Sequence, residues 1–183
     1  MKLKNIIEVL IHSSSSPITS KDIGHVLNNK NAIDLSKIIK EINKEYQNLG
    51  KGYRIEKISG GYQLLSIPDY HPYIERLQQK IRKPRFSKAA IETLSIIAYK
   101  QPLTRAEVEH IRGVDSSGVI KNLLEKGLIL IKGRDEGLGR ALLYITTPFF
   151  LELFGLDTLN DLPTLDELTQ LMNNESTFVQ NEN

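Results

Sequence analysis

The chain has 183 residues, of which 40% are hydrophobic and 25% are charged, and its net charge is +2. This composition is that of an ordinary globular protein, and no apolar run approaches the ~20 residues that span a bilayer, so we expect no membrane contact. The absence of cysteine excludes disulfides, thiolate metal sites and thiol nucleophiles, and it favours a cytoplasmic location.

Charge is distributed unevenly along the chain. Lys and Arg outnumber Asp and Glu in residues 1–86, whereas acidic residues prevail in residues 87–183 and no Lys or Arg follows Phe150. A protein that binds nucleic acid along its whole length does not usually show this division. We therefore expect any DNA contact to come from the front half or the central connector.

The first 68 residues predict three helices followed by a β-hairpin. Apolar residues recur at helical spacing in MKLKNIIEVLIH, Pro17-x-Thr19 opens a second helix, and Asp34 begins a third that Gly50 ends. We expect Leu49 on the apolar face of that third helix. The alternating segments YRIEKI and YQLLSI, separated by SGG, then predict a hairpin with Gly60 and Gly61 at its turn.

Residues 87–147 repeat this plan. Thr104 and Glu107 form a T-x-x-E capping box, which predicts the start of the second helix. The third helix begins at Asp115 or Ser116 and ends at Gly127. Sliding the chain by 85 positions aligns the two helix junctions. The matched pairs are Pro17 with Pro102, Thr19 with Thr104, Asp22 with Glu107, Ile23 with Val108, and His25 with His110.

A second hairpin completes the repeat, since residues 128–131 and 141–145 pair across a longer loop, residues 132–140. Three helices and a hairpin make a winged helix. The predicted fold is therefore mainly α with small β-hairpins, arranged as tandem winged-helix domains over residues 1–68 and 87–147.

Three further segments surround these domains. Residues 69–86 contain five basic residues and apolar residues at helical spacing (Ile74, Leu77 and Ile81), which predicts a basic helical linker. Thr147-Pro148 opens a C-terminal helical extension, residues 148–172, on an acidic background. The polar residues 173–183 predict a disordered tail.

The sequence contains no pattern typical of catalysis. The four histidines are scattered, no phosphate-binding loop is present, and the serine run Ser13–Ser16 has no accompanying base for a hydrolase mechanism. We expect no enzyme activity, no catalytic residue, no cofactor and no metal.

Two surfaces remain for binding. The second wing carries Lys132, Arg134 and Arg140, and the alternative is a merely solvated hairpin. The third helix of each module reads bases in DNA-binding relatives of this fold, but here it carries lysines and no arginine, so base readout is not expected. Winged helices also bind proteins, and the fold alone does not decide between these roles.

The second half resembles one family closely. The segment SKAAIETLSIIAYKQPLTRAEVEHIRGV, residues 87–114, is similar to the signature of bacterial segregation and condensation protein B. So are Gly133-Arg134, Gly139-Arg140, Leu143-Tyr144, Thr146-Thr147, FLELFGL at 150–156 and LNDLP at 159–163. Ala141 departs from the family pattern, in which Pro follows Gly-Arg.

The resemblance implies a non-catalytic accessory subunit of the SMC–kleisin complex that condenses and segregates the bacterial chromosome. It implies a homodimer formed largely through the first domain, which binds the kleisin ScpA chiefly through the second and reaches the SMC ATPase through that kleisin. The location implied is the cytoplasm, at the nucleoid.

Six residues of the matching motifs are candidate kleisin contacts. For Arg105 and Arg112 the alternative is a role in the fold alone. The rival function is a winged-helix transcriptional regulator that binds DNA, and a weak nonspecific DNA contact by the basic linker also stays open. The six candidates are Tyr99, Gln101, Arg105, Arg112, Arg134 and Arg140.

Overall fold

A computed structural model describes residues 2–28, 33–78, 86–137, 139–164 and 166–167. In the first module three helices precede a two-stranded antiparallel hairpin, and a 3-10 turn then leads to a further helix. The elements are α1 (Leu3–Ser13), α2 (Ser20–Val26), α3 (Leu35–Asn48), β1 (Tyr53–Ile58), β2 (Gly61–Ser66), the turn Pro68–Tyr70 and α4 (His71–Gln78).

The second module repeats this order and adds a short strand between its first two helices. That strand joins the hairpin, so the sheet has three antiparallel strands in the order β3-β5-β4. The elements are α5 (Lys88–Lys100), β3 (Leu103–Thr104), α6 (Arg105–Arg112), α7 (Ser117–Glu125), β4 (Ile129–Arg134), β5 (Leu142–Thr146) and α8 (Pro148–Phe154), followed by a 3-10 turn at Leu159–Asp161. The predicted winged-helix fold in two copies is confirmed.

Each module has its own hydrophobic core because each three-helix set presents one apolar stripe inward. In the first core, the largest buried side chains come from α1, α2 and α3, with Ile55 of β1 closing it. In the second, α5, α6, α7 and the sheet enclose a cluster that Phe150 of α8 completes. The fully buried isoleucines and leucines include Ile7, Ile11, Ile23, Ile42, Leu94, Ile97, Leu123 and Leu128.

The two helix junctions use the same chemistry. Thr19 and Thr104 each accept a hydrogen bond from the backbone N–H three residues later, and the carboxylates of Asp22 and Glu107 each accept from the N–H of the threonine. These reciprocal bonds satisfy donors that a helix N-terminus otherwise leaves open. The repeated Pro-x-Thr-x-x-acid pattern therefore records a shared helix start.

Glycine ends the third helix of each module in a Schellman arrangement. Gly127 donates to the carbonyl of Leu124, and Leu128 donates to that of Leu123 at 3.0 Å. Gly50 has a φ of +63°, which lets the chain reverse after α3. The expectation for Leu49 is wrong: this residue caps α3 and is 70% exposed, because the apolar stripe ends one turn earlier at the buried Tyr46.

The outer edge of the first hairpin is covered by a side chain. The amide of Asn43 in α3 donates to the carbonyl of Ile55 at 2.8 Å and accepts from the N–H of Ile55 at 2.8 Å. The inner strand β2 pairs instead with Ile18, through two backbone bonds between Ile18 and Tyr62. Asn43 thus takes the place of a neighbouring strand beside β1.

The connector and the C-terminal extension are described in part. Helix α4 covers the first portion of the predicted linker, with Leu77 exposed, whereas Ile81 and the remaining basic residues lie outside the described residues. Thr147 caps α8 as predicted, with Pro148 at its first position and Gly155 at its end. Residues 168–183, including the predicted tail, lie outside the described part. Where the helices are described, none is long and apolar enough to cross a membrane.

Candidate partner-binding surface

The six candidate residues occupy three places on the second module. Tyr99 and Gln101 lie at the end of α5, Arg105 and Arg112 lie on α6, and Arg134 and Arg140 lie on the wing. The structure brings only the last two into direct contact, since a guanidinium N–H of Arg134 donates to the carbonyl of Arg140 at 3.1 Å.

Gln101 joins the first helix of the module to its sheet. Its side-chain carbonyl accepts from the backbone N–H of Thr146 at 2.6 Å, and its Nε2 donates to the Thr146 hydroxyl at 3.0 Å. The amide is half-buried and both of its ends are bonded, so its first role is to hold the sheet against α5. Tyr99 is more exposed, and its hydroxyl donates to the carbonyl of Pro163 at 2.7 Å.

The two arginines of α6 belong to one polar network. Arg112 donates to the carboxylate of Glu92 at 3.2 Å and to the hydroxyl of Ser116 at 2.8 Å, and its side chain is only 6% exposed. Glu109 accepts from the backbone N–H of Ser116 and lies 3.5 Å from the guanidinium of the exposed Arg105. The network ties α5, α6 and the start of α7 together, with Arg112 at its buried centre.

The second wing presents cations to solvent. Lys132, Arg134 and Arg140 are all exposed, and within the described residues no carboxylate lies within ion-pair distance of any of them. Lys132 sits at a β-bulge, because the register of β4 against β5 shifts between Ile131 and Gly133.

Leu130 and Ile131 lie in a strand, as the sequence predicts, but their exposure is not apparent from the sequence. They are 37% and 45% exposed, respectively, although both are large aliphatic residues in the middle of a strand. The reason is the position of β4 at the edge of the sheet, which the run LILI does not reveal. The nearest signal in the sequence was the adjacent Lys-Gly-Arg, because charged residues often accompany an open edge.

A second contact zone connects the two modules. At the tip of the first hairpin, Lys57 donates to the carboxylate of Asp157 at 2.6 Å, and the N–H of Gly60 donates to the same carboxylate at 2.9 Å. Ser59 donates its N–H to the carbonyl of Leu156 at 2.9 Å and its hydroxyl to that of Pro148 at 3.1 Å. We refer to these four hydrogen bonds as the clasp.

The hydrogen-bond partners of Asp157 keep its carboxyl group ionised. Partial burial acts to raise the pKa of this carboxyl, but the hydrogen bonds from Lys57 and Gly60 outweigh burial and the pKa is lowered. The same contact, chiefly its hydrogen bond, raises the pKa of Lys57. Both groups are therefore ionised near neutral pH.

The described residues contain no cluster of three or more His, Asp or Glu side chains that could hold a metal ion. An open depression lies beside α6, and its one carboxylate, Glu107, is occupied by the capping box, which lowers its pKa through the bond from the Thr104 N–H and then that from the hydroxyl. The lining residues are Lys100, Leu103, Ala106, Glu107, His110 and Ile111.

Comparison with known proteins identifies relatives over most of the chain. Residues 5–165 match the family described as segregation and condensation complex subunit ScpB. The segregation and condensation protein B of Syntrophotalea carbinolica is 41% identical over 93% of this chain and 86% of its own, and that of Desulforamulus reducens is 45% identical over 90% of each chain. The crystal structure of ScpB from Mycobacterium tuberculosis is 30% identical over 84% of this chain and 95% of its own, with a TM-score of 0.39.

Proposed function

Since the chain belongs to the segregation and condensation complex subunit ScpB family, we propose that it is a non-catalytic accessory subunit of the bacterial SMC–kleisin complex. In this role it forms a homodimer, binds the kleisin ScpA and reaches the SMC ATPase through that kleisin. It acts in the cytoplasm at the nucleoid and supports chromosome condensation and segregation. The observation that carries the proposal is the family match, which spans both winged-helix modules.

The proposed division of labour between the modules assigns kleisin binding chiefly to the second. This module displays exposed apolar residues on β4 together with three cations on the wing. Arg134 and Arg140 are the strongest contacts among the six candidates, because they face solvent with no carboxylate partner among the described residues.

The exposed Arg105 already pairs with Glu109, and the hydroxyl of Tyr99 already bonds to Pro163. Gln101 and Arg112 already form hydrogen bonds within the module. Their contribution to binding is therefore indirect, since they position the elements that form the binding surface.

The third helix of the second module does not support the rival function of base readout. Its two cations are Lys121, which lies 3.9 Å from Glu125, and Lys126 at its C-terminal end. Neither provides the bidentate guanidinium that recognises a guanine. Binding to a partner protein therefore agrees better with the charges on α7 than sequence-specific DNA binding does.

Co-purification with ScpA from the same organism tests the proposal. We expect the wild-type chain to retain ScpA and the Arg134→Glu, Arg140→Glu double variant to retain much less. The matched control is Lys37→Glu, Lys40→Glu, which changes the net charge equally at two exposed positions of α3. Failure of the wild-type chain to retain ScpA would contradict the proposed function, and equal retention by all three would remove the wing from the interface.

A further inference from the structure

The two wings of this chain are both antiparallel hairpins, but they differ in whether the free backbone edge of the outer strand is covered. In the first, Asn43 bonds to both backbone groups of Ile55 in β1. The cations of that wing are also engaged, as Arg54 pairs with Glu56 and Lys57 pairs with Asp157. The edge of β1 is therefore closed to a further strand.

The corresponding edge of β4 is open. The carbonyl of Leu128 accepts from the N–H of Thr147, so it points towards β5. Because the backbone direction alternates along an antiparallel strand, the N–H and carbonyl of Ile131 point away from β5. Ile131 is third in its strand, as Ile55 is in β1, and within the described part of the chain no side chain covers its backbone as Asn43 covers that of Ile55.

The side chains around this edge define what it can bind. Leu130 and Ile131 expose aliphatic surface on either side of the backbone, and the next cations, Lys132 and Arg134, have no carboxylate partner among the described residues. An extended segment carrying apolar and acidic side chains would satisfy all of these groups at once. A second copy of β4 would not, because this strand carries Lys132 and Arg134 but no carboxylate that could pair with them.

We propose that β4 is a strand-addition site, at which an extended acidic and apolar segment of the partner protein pairs with the backbone of Ile131 and places carboxylates near Lys132 and Arg134. The proposal rests on the function proposed above in taking ScpA as the source of that segment. Main-chain bonds supply affinity, and the two cations select acidic segments over basic ones.

Amide hydrogen exchange followed residue by residue tests the site on the full chain. On addition of ScpA, the amide of Ile131 should exchange at least about tenfold more slowly, because it gains a hydrogen bond, whereas the amide of Leu130 already bonds to β5 and should change less. A synthetic octapeptide of alternating Val and Glu is the second probe and should protect Ile131 independently of ScpA.

Two variants test the groups involved. Ile131→Pro removes the outward N–H at an edge position where proline is tolerated, and Lys132→Glu reverses a charge. Each should weaken binding of both probes at least about tenfold. Lys121→Glu, an equal charge change at an exposed position on α7, should leave binding unchanged.

The outcomes separate the two proposals. If ScpA binds while Ile131 exchanges as before, the strand-addition site is wrong and the proposed function stands. If ScpA does not bind but the octapeptide protects Ile131, the site stands and the proposed function is wrong. Protection by neither probe refutes the site, and so does protection by duplex DNA alone. The amide of Ile131 could instead exchange slowly in the free chain and become fast when residues 165–183 are deleted. That result would show that this chain's own C-terminal segment covers the edge, and it would also refute the proposal.

Discussion

Asp157 accepts a hydrogen bond from Lys57 at 2.6 Å, although Lys57 lies in the first winged-helix module and Asp157 lies 100 positions later, after α8. The carboxylate is shared with the N–H of Gly60, so one side chain holds both the end of β1 and the turn that follows it. The clasp thus holds the first wing against α8 and the segment that follows it.

We predict that Asp157→Asn loosens the orientation of the two modules. The neutral amide loses the ionic attraction to Lys57 while keeping the shape of the side chain. Because the chain has no cysteine, spin labels can be attached at Lys40→Cys in the first module and Lys121→Cys in the second. Double electron–electron resonance then measures the distribution of distances between the two labels. The distance distribution should broaden in Asp157→Asn and stay narrow in the control Asp69→Asn.

The same measurement has a defined pH dependence. The pKa of Asp157 is lowered, so its contribution is fully present above the ordinary pKa of an aspartate and is lost as the pH falls through the lowered value. The distribution should therefore stay narrow until the pH is below the usual aspartate range, while circular dichroism confirms that the helices remain folded. Broadening already near neutral pH would show that Asp157 does not hold the modules.

Asn43→Ala should destabilise the first module by about 1–3 kcal/mol, because both backbone groups of Ile55 lose their partner. It should also promote self-association, since the edge of β1 becomes open. Urea denaturation and light scattering measure these two effects. Asn122→Ala, an exposed asparagine on α7, is the matched control, and equal behaviour of the two variants would show that Asn43 is not needed to close the edge.

Of the two arginines of α6, Arg112 should contribute more to the stability of the fold than Arg105. Arg112→Ala should lower the free energy of unfolding by about 2 kcal/mol, because a buried guanidinium bonds to Glu92 and Ser116. Arg105→Ala should cost less than about 0.5 kcal/mol, because its pair with Glu109 is exposed and lies at helix spacing. Equal losses in urea denaturation would contradict the assignment of Arg112 to the fold.

Removal of the capping threonine should weaken each module by a similar amount. Thr104→Ala and Thr19→Ala should each cost about 1 kcal/mol, since each deletes the acceptor for the N–H of the third helical residue. Thr104→Ser and Thr19→Ser keep the hydroxyl and should recover most of the loss in melting temperature. If a serine variant had the same melting temperature as the alanine variant at that position, the hydroxyl would not be the stabilising group.

Local sequence signals predicted most of the fold because capping boxes, helix-ending glycines and apolar periodicity act within a few residues. Thr19, Thr104, Thr147 and Gly127 all do what their positions indicate. Leu49 was misplaced because periodicity does not mark where a stripe ends.

The surface depends on contacts between distant segments, and these leave weaker signals. The bond between the Gln101 amide and Thr146, 45 residues later, was not expected from the sequence, and the partner contact of Gln101 stays a prediction. The clasp between Lys57 and Asp157 and the closure of β1 by Asn43 were also not expected from the sequence. Each requires knowledge of which elements meet, and so does the open edge at Ile131.

The mass of the complex formed with the kleisin tests the central proposal most directly, because it reports the partner and the dimer together. Native mass spectrometry of the purified full chain should give twice the monomer mass. After addition of ScpA, it should give a species that contains two copies of this chain and at least one ScpA. A monomer whose mass does not change when ScpA is added would contradict the account.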